Sequence, residues 1–179
     1  TRFSEGTSAA TALASRAAHQ IIDGLLDTDG GSSLADIPPE YYAVAVKALL
    51  THSARWNEKG DLLREICGPA DTRRHEERSA NVARFLGFGV PNSRRVLDCA
   101  ENQATLVGYG SIPPEAGHRY RIPLPESLRN VTDPRALTVT LAWFSPVKPG
   151  HQSYRGVKLE AAPLEPSLAI GVEREKQQP

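Results

Sequence analysis

The sequence contains no methionine, only two cysteines, and an aromatic content of 6%. Each shortage excludes something. Without a methionine the chain has no initiator of its own, which leads us to expect a portion of a longer protein. Cys67 and Cys99 lie too far apart to read as a disulfide framework or a zinc-ligand set. Two free buried thiols, and with them a slight lean to the cytoplasm, are the expectation. Aromatic residues are too few for a platform that stacks nucleic-acid bases. Charge of one sign is missing as well: Lys plus Arg and Asp plus Glu each number 21. A balance of that kind gives no long-range field to gather nucleic acid or an anionic membrane surface. No apolar run approaches the roughly 20 residues that cross a bilayer. No basic stretch followed by an apolar one reads as a signal peptide.

What is present begins with helical periodicity. From Ala9 to Leu26 apolar residues recur at Ala10, Leu13, Ala14, Ala17, Ala18, Ile21, Ile22, Leu25 and Leu26. This spacing predicts a helix with a broad apolar face, mostly buried, whose alanines let neighbours approach closely. The turn chemistry of DTDGGSS (27–33) ends it. Pro38 and Pro39 open a second helix, with Tyr42, Ala45, Val46, Leu49 and Leu50 as its stripe, fading near Ala54 to Trp56. The polar stretch from Glu58 to Phe85 reads as a surface excursion with a short helical piece around Leu62 to Ile66. A glycine-flanked turn and a short helical pattern through Val96, Leu97 and Ala100 follow.

After Glu101 the texture changes. ATLVGYGSI, RYRIPLP, ALTVTLAWFS and YRGVKLEA are rich in β-branched and aromatic residues, and PPEAG and PVKPG separate them. Leu137, Val139, Leu141 and Trp143 alternate with Thr138, Thr140 and Ala142, which predicts a half-buried strand. SLAIGVE (167–173) extends the same pattern. The expected organisation is a helical part over 1–101, an all-β part over 102–174 and a frayed tail over 175–179.

The segment that bears on chemistry is GTSAATA, residues 6–12, immediately before the long helix. A serine hydroxyl becomes a useful nucleophile once a base removes its proton and donors stabilise the oxyanion it creates. A helix N-terminus serves the second need, because its free N–H groups and dipole favour negative charge. Small neighbours at Gly6, Ala9 and Ala10 leave room for a substrate carbonyl above Ser8. Thr7 or Ser8 as a plain helix cap is the more frequent use of such residues, and on spacing alone both readings stand.

GTSAATA resembles the serine motif of the subtilisin-like serine proteases, in which Gly-Thr-Ser is followed by a small residue, by Ala, Ser or Thr, and usually by Pro. Ala12 stands here in place of that proline. PEYYAVAVKALLTHSAR (39–55) is similar to the family's next helix. FLGFGVPNSRRVLDCA (85–100) is similar to the Gly-x-Gly-x-Val-Asn segment that closes its catalytic domain. The order matches over residues 2–100, apart from an insertion between Trp56 and Arg84. The resemblance implies an α/β catalytic-domain remnant, made mainly of the helices of a subtilisin-like fold, followed by an all-β sandwich or jelly-roll-like domain. It implies Ser8 as the nucleophile, the Ser8 backbone N–H as an oxyanion donor, and Thr7 as a supporting group beside the oxyanion. It further implies a polypeptide substrate, no cofactor and no metal. The family's catalytic Asp and His and its side-chain oxyanion donor lie upstream of the serine. The amino-terminal part of the same protease is therefore the expected partner, and this chain alone is expected to be inactive. Helices deprived of the family's parallel sheet would be left exposed, rearranged or covered by another copy in a homo-oligomer.

No histidine of the chain replaces the missing base. His19 lies eleven positions beyond Ser8 on the same predicted helix, about 16 Å along its axis. His52, His75, His118 and His151 read as ordinary polar residues. DTDGGSSLAD offers Asp27, Asp29 and Asp36, but its spacing fails the calcium-loop template. RRHEERSANVAR (73–84) reads as a solvated face of mixed charge. The functional alternatives are a pseudo-protease and a non-enzymatic interaction module whose β part binds a partner.

Overall fold

The computed structural model describes residues 6–26, 37–66, 75–98, 104–122, 137–152 and 154–162. Five helices appear among them: α1 (Thr7–Leu26), α2 (Tyr42–Ser53), α3 (Asn57–Ile66), α4 (His75–Leu86) and α5 (Arg94–Leu97). Contacts divide the chain into two units, Thr1–Ser53 with Asn92–Ala142 and Ala54–Pro91 with Trp143–Pro179.

The first unit is built on α1, α2 and α5. Its core consists of Ile21 and Leu25 from α1, Ile37, Ala45 and Leu49 around α2, and Val96 from α5. Tyr41, Tyr42, Val46, Leu50, Leu97 and Val107 pack on that cluster. The positions contributed by α1 are Ala17, Ile21 and Leu25, an i, i+4 series that places them on one face. Each fully buried Ile or Leu contributes about 1.5–3 kcal/mol through removal of its side chain from water. Pro39 and its neighbours form a single 3-10 turn, 39–41, in which Tyr41 N–H donates to the Pro38 carbonyl before α2 begins. Proline suits that place because the first turn has no use for its missing N–H.

A polar network fixes the ends of these helices. Ser53, fully buried, donates from its hydroxyl to the Leu50 carbonyl at 2.8 Å and accepts the Asn92 amide at 3.2 Å. The Ser93 hydroxyl donates to the side-chain carbonyl of Gln20 on α1 at 2.8 Å. The turn that leads into α5 is thereby bonded to both α1 and α2, and its buried polar groups are satisfied.

In the second unit α3 packs against α4. Ala54 and Val82 are its buried apolar residues. Arg55 and Val90 exchange backbone hydrogen bonds at 3.2 and 3.0 Å in an isolated antiparallel bridge. Gly89 has φ +98°, and a Cβ there would run into the Arg55 carbonyl, so the close approach of the two backbones requires glycine. The Trp56 indole N–H donates to the Gly87 carbonyl at 2.8 Å, and the Arg64 guanidinium lies 5.2 Å from the centre of the Trp56 ring.

Two corrections follow. The expected surface excursion over 58–85 holds a full helix, α4, where only one short helical piece around Leu62 was anticipated. Its alternation of Arg, His and Glu concealed Val82, the buried residue that gives it a face. The larger correction concerns fold class: an α/β remnant followed by an all-β sandwich or jelly-roll-like domain is not what forms. Among the described residues the regular structure is helical, with no strand and no sheet, and Arg55–Val90 and Val147–Arg155 are isolated bridges.

The physical reason is visible in the extended segments. Residues 104–112 and 117–122 meet through a turn closed by the Ala116 amide on the Pro113 carbonyl. There the Tyr120 ring covers Gly108 and the His118 ring covers Gly110. Rings over glycines hold these backbones side by side without a hydrogen-bonded ladder among the described residues. Residues 145–148 and 154–157 pair more closely, with Lys148 N–H on the Tyr154 carbonyl at 2.7 Å and Gly156 N–H on the Pro146 carbonyl at 2.8 Å. Pro146 and Pro149 withhold the amide donors that would lengthen that ladder. The alternation at 137–143 does not translate into one buried apolar face: Thr138 is exposed as well, and of the expected apolar face only Trp143 is half-buried. Leu137, Val139 and Leu141 are exposed, Val139 at 55%, whereas Thr140 and Ala142 are half-buried. The junction at 101–102, the segment 167–173 and the tail 175–179 lie outside the described residues.

Candidate functional site at the start of α1

Gly6, Thr7 and Ser8 form the entry to α1. Gly6 has φ +113°, a conformation that favours glycine, and its carbonyl accepts the Ala10 amide at 3.1 Å. Accepting the first intrahelical bond makes Gly6 the N-cap, so Thr7 and Ser8 are the first two residues inside the helix. The amides of Thr7, Ser8 and Ala9 therefore have no carbonyl to bond within α1. Among the described residues no acidic side chain stands in the first turn, where the positive end of the helix dipole favours negative charge.

The Ser8 side chain is exposed, and among the described residues no group holds its hydroxyl. Thr7 is exposed too, and its carbonyl accepts the Thr11 hydroxyl at 2.8 Å. Neither hydroxyl caps the helix among the described residues. A Cβ built on Gly6 would meet nothing within 4 Å.

The burial of α1 changes along its length. Ile21 is fully buried, yet Leu13, on the same i, i+4 stripe, is 65% exposed. The mostly buried helix expected from its apolar breadth thus has buried positions only from Ala17 onward. Toward Ser8 the face is only partly covered: Leu13 is exposed, while Ala9 and Ala14 are half-buried.

Among the described residues of the first unit no histidine is bonded to Ser8. His19 pairs with Asp23 at 3.5 Å on the exposed flank of α1. The ring of His52, in the last turn of α2, has its Nδ1 3.0 Å from the Thr140 hydroxyl. His118 Nδ1 lies 3.3 Å from the Tyr120 hydroxyl. His151 is exposed, and His75 is the first residue of α4. Among the described residues no group of three or more His, Cys, Asp or Glu gathers as a metal site. Cys67, Cys99 and the aspartates at 27, 29 and 36 lie outside the described residues. No helix is long and apolar enough among them to cross a membrane. The start of α1 thus presents an exposed hydroxyl and free backbone amides, and among the described residues no base is bonded to that hydroxyl. Compared with protein-family models, curated proteins and solved structures, the chain finds no match.

Proposed function

We propose that Ser8 is the nucleophile of a subtilisin-like serine endopeptidase, completed by an amino-terminal polypeptide part that carries the Asp, the His and a side-chain oxyanion donor. One observation carries the reading: Ser8 stands exposed and unheld among the described residues in the first turn of α1, next to an apolar helix face on which Leu13 is exposed. The resemblance of GTSAATA to the family's serine motif supplies the chemistry. In that chemistry the histidine accepts the proton of Ser8 Oγ as the oxygen attacks the substrate carbonyl carbon. The oxyanion draws on the Ser8 backbone N–H, with Thr7 beside it. The amine product leaves with the proton from the histidine, and water then releases the acyl group from Ser8.

A fluorophosphonate probe tests this directly. The assembled protease should be labelled at Ser8, its Ser8→Ala variant should not, and this chain alone should stay unlabelled. Peptidase activity of the Ser8→Ala variant should fall by on the order of 10⁶-fold, the scale on which such a triad acts as a unit. Equal labelling of this chain alone would place a base within it and overturn the assignment of the missing partners. Biological activity that survives Ser8→Ala in the full protein would favour a pseudo-protease or interaction module.

A further inference from the structure

We draw no further inference here: the strongest candidate, the exposed apolar face of the extended segment 137–141 with Leu137, Val139 and Leu141, carries nothing because nothing in the structure shows what covers it.

Discussion

Leu13 and Ile21 stand about two turns apart on one stripe of α1, and only Ile21 is covered. The carboxyl-terminal half of the helix lies on Leu49, Val96 and Ile37 and has its polar side tied through Gln20 to Ser93. The amino-terminal half has the same kind of apolar residue at the same spacing, but there Leu13 is exposed and no residue is fully buried. An i, i+4 pattern records which way a helix faces, whereas burial also requires something to lie on that face. In α1 the face was made for its full length, and its buried positions begin at Ala17.

The sharpest way to break this comparison is to truncate both residues. Ile21→Ala removes a fully buried side chain and should cost about 2–5 kcal/mol, the usual penalty of a large-to-small change in a core. Leu13→Ala should stay within about 0.5 kcal/mol in this chain, as for a surface position. Urea unfolding of the two variants measures both. Comparable losses would mean that the start of α1 is packed in solution. In the assembled protease, Leu13→Ala should become costlier if the proposed amino-terminal part covers that face.

Helix existence was legible wherever an apolar stripe was dense, as in α1 and in α2 with Ala45 and Leu49. It was hidden in α4, where Val82 is the fully buried side chain among the described residues of a charged stretch. The place of the Gly-Thr-Ser segment was legible too, since a glycine before Thr-Ser and a run of alanines mark a helix start. The extended segments misled because alternation at Leu137, Val139 and Leu141 specifies two faces without specifying a partner strand. Side-chain ring contacts at Gly108 and Gly110, the prolines at 146 and 149, and the bond from His52 to Thr140 decide how those segments lie. Such pairings join residues distant in sequence and leave no local periodic trace.

Ser53→Ala probes the covered end from its polar side. Loss of the hydroxyl leaves the Asn92 amide without its acceptor, in the turn that reaches α1 through Ser93 and Gln20. An unpaired amide of this kind costs about 1–3 kcal/mol, so the variant should unfold between Ile21→Ala and Leu13→Ala. A neutral result would show that the turn holds α1 without this bond.

At the uncovered end, Gly6→Ala adds a side chain where there is space but where φ is +113°. A non-glycine residue there bears strain of about 1–3 kcal/mol, and the free end of the helix can relieve it by unwinding. Amide hydrogen exchange should therefore quicken at Ala10 and Thr11, with the unfolding midpoint almost unchanged. A clear drop in midpoint would instead tie the first turn to the cooperative core.

The most local effect expected outside α1 is that of Thr140→Val, which keeps the shape of the side chain and removes its bond to His52. His52 has a further interaction besides this one, so α2 should keep its last turn. Loss of one part-buried hydrogen bond costs about 0.5–1.5 kcal/mol, and the loss should fall on the extended segment. Faster exchange at 138–142 with unchanged exchange at Ile21 and Leu25 is the expected pattern. That result would set the extended segment beside the start of α1, as chain whose own pattern provides a face but too little cover. If exchange at 138–142 does not change, backbone contacts beyond the His52 bond hold the segment, and it belongs with the covered half of the comparison.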